Sequence, residues 1–284
     1  MSLPKDSRSK AAADGALSSE HSGFCRCRYV ALALNPKSGP KLAEREKGMA
    51  KVSLNPVYIE ATTLPDSWFQ IIWNLLDHGR EFVIDRGSYA GQKRLELDYV
   101  TVHIKHPGVR PLLPDIPTHL GIPNPVADDY LDDYLPYLMT PHKEPDEDYT
   151  YGERLAGGMG IDQIQTVIDT YKRHGFRNNQ MVMTVGMPTD LKLEDPPCLR
   201  QIDTRIQDNR IHFFVYFRSW DAWNGYPANL GGIQLLKEYM ASEIGVEDGE
   251  MIVASKGLHI YDYAFDLARM RTYRASECEK SAHQ

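Results

Sequence analysis

Runs of apolar residues spaced two apart and runs spaced three or four apart take turns along this chain, and that interleaving of strand and helix periods restricts its fold more than any other feature. Residues 29–34 read as a short buried strand, and residues 68–76 carry helical spacing until His78 and Gly79 stop it. Residues 95–104 alternate apolar and polar side chains like a half-buried strand. Pro107, Pro111, Pro114, Pro117, Pro123 and Pro125 then exclude regular structure and predict a surface excursion. An acidic, tyrosine-rich segment at 127–138 has helical spacing, and Ile161, Ile164, Val167, Ile168 and Tyr171 mark an amphipathic helix. Residues 181–185, 202–206 and 211–217 are expected strands, the last leading into a loop over 218–229. Residues 230–244 return to the helical period, and a last apolar run at 251–254 approaches 258–261. The expectation is an α/β or α+β domain built around one mixed sheet flanked by helices, without internal repeats. Residues 1–25 are rich in Ser, Ala, Lys and Asp, and are expected to form a flexible tail ahead of a single domain over 26–284.

Charge and cysteine usage narrow the function classes. A formal net charge of -7 opposes a chain whose main task is to grip nucleic acid, which relies on counterion release by clustered Lys and Arg. No run reaches the roughly 20 apolar residues that cross a bilayer, and residues 1–20 lack a signal-peptide pattern, so a cytoplasmic location without a membrane partner is expected. Cys25, Cys27, Cys198 and Cys278 make neither a dense disulfide framework nor a pair with zinc spacing, so no metal site is expected. In a reducing compartment a lone cysteine can serve as a nucleophile.

Three polar clusters lie where a predicted strand gives way to a loop: Pro197-Cys198, Arg218-Ser219-Trp220-Asp221 and His259-Ile260-Tyr261. Cysteine attacks carbon as the thiolate, and a nearby guanidinium lowers its pKa, which Arg218 is suited to do. Arg218 is equally suited to a phosphate, with help from the Ser219 hydroxyl. Each residue also has an ordinary structural use. Cys198 can be a small buried hydrophobe, Asp221 can cap a turn, Arg218 can form a surface ion pair, and His259 can be a satisfied core histidine beside a packed Tyr261. The residues alone give a candidate site with no reaction attached.

In this order and at these spacings, Pro197-Cys198, Phe217-Arg218-Ser219-Trp220-Asp221, Gly225-Tyr226-Pro227-Ala228-Asn229 and Leu258-His259-Ile260-Tyr261 resemble the thymidylate synthase family, which includes the pyrimidine nucleotide hydroxymethylases. Tyr151-Gly152-Glu153-Arg154 and Ile161-Asp162-Gln163-Ile164 are similar to the family's Tyr-Gly turn and Ile-Asp-Gln helix, extending the match over residues 149–261. Pro-Pro-Cys-Leu, Pro-Ala-Asn and Lys237-Glu238-Tyr239 look closest to the archaeal-type branch.

The resemblance implies a thymidylate synthase-like fold and a homodimer formed through a sheet face. It implies that Cys198 adds to C6 of a pyrimidine nucleoside monophosphate. C5 then attacks a methylene group carried by 5,10-methylenetetrahydrofolate, or by a modified pterin such as methylenetetrahydromethanopterin. Arg218 and Ser219 would hold the phosphate, with Arg177 coming from the other subunit and Arg86 a weaker match. Asn229 would read the base, His259 and Tyr261 would bind the sugar hydroxyl, Asp221 would face the pterin, and Tyr151 would assist removal of the C5 proton. An asparagine suits the O4/N3-H edge of uracil, which favours conversion of dUMP to dTMP. The alternatives are a 5-hydroxymethylase for dUMP, dCMP or CMP and a homologue that binds nucleotide without turnover.

The sequence departs from the family in three places. Arg177-Asn178-Asn179 offers one guanidinium where two are expected. The usual proton-relaying glutamate is replaced by a proline-rich stretch and an acidic segment, leaving Glu153 or an aspartate of 128–133 as substitutes. The chain also ends soon after Tyr261 without the family's long closing extension, which bears on a methyl or hydroxymethyl product because closure excludes water.

Overall fold

The computed structural model describes residues 53–85, 89–127 and 129–272. The expected tail and the expected strand at 29–34 lie outside them.

A six-stranded mixed sheet is built from β1 (Pro56–Ala61), β4 (Tyr99–Ile104), β5 (Val182–Thr184), β6 (Leu199–Gln207), β7 (Arg210–Phe217) and β9 (Glu247–Ser255). Its order is β1-β4-β9-β7-β6-β5, with β1/β4 and β7/β9 parallel and the other pairs antiparallel. A second sheet of four short strands runs β2 (Arg80–Val83), β3 (Lys93–Leu97), β10 (Leu258–Tyr261) and β8 (Trp220–Asp221). Two sheets therefore stand where the sequence predicted one.

The predicted strand at 95–104 is where the two sheets divide. Leu95 and Leu97 face inward on odd positions, while Val100, Val102 and Ile104 do so on even ones, and a one-residue slip reverses the buried face of a strand. Asp98 sits at the break, pairing with Arg80 and accepting the Asn55 N–H. The chain leaves one sheet there and enters the other.

Helices α1 (Leu64–His78) and α5 (Gly225–Ile244) pack on one face of the larger sheet, against Val102, Phe213, Val215 and Val253. The Thr63 hydroxyl caps α1 by accepting the Asp66 N–H. Helix α5 buries residues around nearly its whole circumference and forms the centre of the core. Helix α2 (Tyr130–Met139) crosses it where Gly231 and Gly232 let the two approach: a Cβ at 232 would stand 2.4 Å from Tyr134 Cδ1. The proline-rich segment has no strand or α-helix, but it is no mere surface excursion, since Leu112, Leu113 and Ile116 are buried. Short α3 (Tyr151–Leu155), then α4 (Gln163–His174), and α6 (Phe265–Thr272) complete the fold. Glycine at 152 is required because a Cβ there would lie 2.1 Å from the Thr140 carbonyl oxygen.

Candidate active site

Cys198 immediately precedes β6 at the end of the sheet where β7 finishes. Its carbonyl accepts the Arg218 N–H at 2.8 Å, so the two predicted residues sit side by side across the strands. The Arg218 guanidinium turns back over the loop before the cysteine. Its Nε donates to the carbonyls of Pro196 and Pro197, each at 3.2 Å, and Nη2 bonds to Pro196 O and, at 3.0 Å, to Asp195. Arg218 thus fixes the position of the thiol as well as lending it charge.

Cys198 is a free, partly buried thiol. Burial pushes it up, Arg218 pulls it down, Asp195 pushes it up and Arg200 pulls it down, with a net rise. The thiol therefore rests protonated at neutral pH, with two guanidinium groups near enough to favour the thiolate during an attack.

Next to it lies a cavity of about 410 Å³ walled by Tyr130, Tyr134, Tyr137, Tyr149 and Tyr151, with Asp133 and Asn229. The first three come from one face of α2 at spacings of four and three residues; Tyr151 opens α3, and Tyr149 lies just ahead of its N-cap Thr150. The Tyr151 hydroxyl accepts the Leu199 N–H at 3.3 Å, one residue from Cys198. Burial, then the neighbouring Cys198, raises Tyr151, so it is a neutral phenol whose proton is available for donation.

Asn229 lies in the second turn of α5, where the sequence predicted a loop; Pro227 is tolerated because it falls in the first turn. Trp220 Nε1 donates to Asn229 Oδ1 at 2.9 Å, and Asn229 Nδ2 donates to the Tyr134 hydroxyl at 2.6 Å.

His259 and Asp221 are register partners in the parallel pair β10/β8. The Gly257 carbonyl lies 2.8 Å from His259 Nδ1, and because a carbonyl only accepts, the proton is on Nδ1. Nε2 is then an acceptor, buried with no partner among the described residues. Burial lowers the imidazole and keeps it neutral, against the raising effects of the Gly257 carbonyl and Asp221. Tyr261 meets the His259 ring edge-on at 4.8 Å and stacks on Tyr89 at 4.4 Å, and burial pushes its hydroxyl up to about 12. The Asp221 carboxylate accepts the N–H groups of Trp223, Asn224 and Gly225 at 3.1–3.2 Å, seating the first turn of α5.

Cys198, Tyr151, Arg218, Asn229, Asp221, His259 and Tyr261 thus come together at one end of the two sheets. Ser219 adjoins them, half-buried between Arg218 and β8. Arg177 does not join: it is exposed between α4 and β5 and takes part in no hydrogen bond or ion pair with the cluster among the described residues. Arg86 lies outside the described residues. Of the substitutes for a relay glutamate, Glu153 faces Lys143 at 3.6 Å, whereas Asp133 lines the cavity.

Sequence reasoning missed Trp220, Tyr134 and Tyr149 as parts of the site, and also Arg154. The Arg154 guanidinium, buried in α3, bonds to Asp190 at 2.8 Å and to the Val185 carbonyl at 2.8 Å, tying the Tyr-Gly turn to the core. Burial alone would raise Asp190, but the Met187 N–H and the charges of Arg154 and Arg200 outweigh it and hold the carboxyl below its ordinary range.

A family profile described as thymidylate synthase matches residues 129–281, more than half of the chain. The chain belongs to the thymidylate synthase family. A protein of Methanosarcina mazei whose name assigns it provisionally to the thymidylate synthases is 33% identical over 213 residues, 74% of this chain and 91% of that protein. A similarly named protein of Methanothermobacter marburgensis is 26% identical over 74% of this chain and 96% of its own length. The thermostable thymidylate synthase A of Bacillus subtilis shares the fold, with a TM-score of 0.59 at 18% identity, covering 76% of this chain and 86% of that one. As a thymidylate synthase family member the chain is an enzyme of the methyltransferase type, from a family that binds a pyrimidine nucleotide and a folate-type cosubstrate. Among the described residues no helix is long and apolar enough to cross a membrane.

Proposed function

We propose that the protein transfers a one-carbon unit to C5 of a pyrimidine nucleoside monophosphate, with dUMP as the acceptor and dTMP as the product. The observation that carries this is the seat of Cys198, a free thiol flanked by Arg218 and Arg200 beside a tyrosine-walled cavity that holds an asparagine amide. In this reading the cysteine proton leaves, Sγ bonds to C6, and the C5–C6 π electrons move onto C5 and O4. C5 bonds to the methylene carbon of the cosubstrate. C5 then gives its proton to a water held by the Tyr151 hydroxyl as the bond from that carbon to the carrier nitrogen breaks, and the exocyclic methylene so formed takes hydride for a methyl product or water for a hydroxymethyl one. Elimination of Sγ from C6 then restores the ring and the thiolate. The cosubstrate, 5,10-methylenetetrahydrofolate or a methylene-carrying modified pterin, supplies the one-carbon unit and, for a methyl product, the hydride.

The remaining residues bind and orient. The Asn229 amide meets the O4/N3-H edge of uracil, and His259 Nε2 accepts the sugar hydroxyl beside Tyr261. Arg218 and Ser219 take the phosphate, which would displace the exposed Asp195 carboxylate from the guanidinium. Arg86 of the same chain adds charge, as does Arg177 contributed by the other subunit. Asp221 accepts three N–H groups, and a carboxylate has about four acceptor sites, so one remains for a pterin N–H.

The dimer of this proposal forms through the outward face of the six-stranded sheet. Phe214, Tyr216, Ile252 and Ala254 form there a half-buried apolar patch. The proposal includes a cytoplasmic location and a catalytic domain over 26–284.

The test is a mass-spectrometric product assay of purified protein with methylenetetrahydrofolate and, separately, dUMP, dCMP, UMP and CMP. A methyl product from dUMP is expected, and a hydroxymethyl product would move the reading to a hydroxymethylase. No product from any nucleotide, together with no tritium release from [5-³H]dUMP, would sink it.

A further inference from the structure

The Asn229 amide is held at both ends, and the two ends are held differently. Trp220 Nε1 donates to Oδ1 at 2.9 Å, while Nδ2 donates to the Tyr134 hydroxyl at 2.6 Å. An indole N–H can only donate, so it decides which end of the amide is the oxygen; a phenol can donate or accept, so Tyr134 decides nothing. The indole has no freedom to turn away. Trp220 is 3% exposed, its ring stacks on Phe217 at 3.8 Å with 7° between planes, and it lies 4.6 Å from the Tyr226 ring. Its backbone is pinned by pairing with Leu258 in β10.

With those bonds made, Asn229 has one lone pair left on Oδ1 and one N–H left on Nδ2. A uracil edge presents N3–H to the first and O4 to the second. A cytosine edge presents the opposite, an acceptor at N3 and a donor at N4. To receive it the amide would have to turn over, which would set its NH₂ against the Trp220 N–H, two donors facing each other in a buried place.

We propose that Trp220 sets the base specificity of the site: by fixing the Asn229 amide it makes the site accept uracil nucleotides and refuse cytosine nucleotides. Trp220 is a positioning residue in this, acting through Asn229. The inference rests on the reading of the cavity as a pyrimidine nucleotide site.

The test is titration calorimetry of dUMP and dCMP against the wild-type protein and three variants. Trp220→Phe removes the donor and keeps a ring against Phe217. Should that variant not fold, 3-benzothienylalanine at position 220 keeps the bicyclic shape and replaces only the N–H. Tyr134→Phe removes the partner that decides nothing. The wild type should prefer dUMP by about a hundredfold or more, as expected of a site that hydrogen-bonds its ligand, and loss of the indole N–H should cut that ratio at least tenfold. Tyr134→Phe should weaken binding and keep the preference. An unchanged ratio without the indole N–H, an equal loss for both nucleotides, or a loss of preference in Tyr134→Phe alone would overturn the inference and leave the site's function standing. A wild type that binds neither nucleotide would overturn the functional reading and this inference with it.

Discussion

Burial and charge pull the Cys198 thiol in opposite directions, and burial prevails. Its alkylation by a neutral reagent such as iodoacetamide should therefore rise with pH through a midpoint above the ordinary cysteine range, because only the thiolate reacts. Arg218→Gln should move that midpoint further up, by removing the larger of the two lowering charges. The pH dependence of the rate in both proteins decides it, and a midpoint below the ordinary range would refute this account of the site. Cysteine, arginine and histidine were legible in the sequence because their chemistry makes them conspicuous at strand ends. Trp220 and Tyr134 were not, because a buried aromatic that packs and a buried aromatic that holds an amide look alike until the 2.9 Å and 2.6 Å bonds are seen.

Elements carry those side chains to their places, and the approach of α2 to α5 is the tightest constraint. Glycine at 232 lets the Tyr134 ring lie where its hydroxyl can reach Asn229 one turn earlier on α5. Gly232→Ala would put a methyl into that ring, so it should destabilise the protein by about 1–3 kcal/mol through overpacking and weaken nucleotide binding more than an alanine elsewhere on α5. Urea unfolding and calorimetry on the same variant check both parts; a stable variant with unchanged binding would show that the contact yields freely. Most helices and the strands of the second half were legible from period alone. The division at Asp98 was legible only as a change of phase between Leu97 and Val100, which a reading for one strand passes over. The short strands β2 and β8 carry too few residues to show any period, so the second sheet escaped notice.

At the scale of the whole molecule, stability should carry the signature of Lys237. Its side chain in α5 is fully buried with Nζ 3.2 Å from Asp248, and burial, opposed by Asp248, lowers its pKa to about 8. Between pH 8 and its ordinary value near 10.4 the folded protein holds fewer protons than the unfolded chain, so this residue makes stability rise with pH across that window. Below pH 8 the lysine is charged in both states and the contribution is gone. The stability difference between wild type and Lys237→Met should shift in favour of the wild type by up to about 3 kcal/mol across the window. Urea unfolding at a series of pH values measures it, and a difference independent of pH would contradict it.

The proposed dimer would make one residue's position intelligible. Arg177 is the one predicted phosphate ligand among the described residues that stands exposed, beside edge strand β5 and out of bonding reach of the cluster. If two chains meet through the outward face of the six-stranded sheet, that arginine can enter the partner's site, and neither site is complete alone. Arg177→Ala and Cys198→Ala should each be nearly inactive as purified proteins. When mixed, dissociated and reassociated, half of the dimers pair one of each, and in those one site keeps both residues. Activity should then return to about a quarter of wild type per chain. Phe214→Glu, which places a charge in the apolar patch of that face, should lower the sedimentation coefficient to that of a monomer and prevent the rescue. Mixing without recovery, while both variants still sediment as dimers, would return Arg177 to the role of a solvent-exposed surface charge.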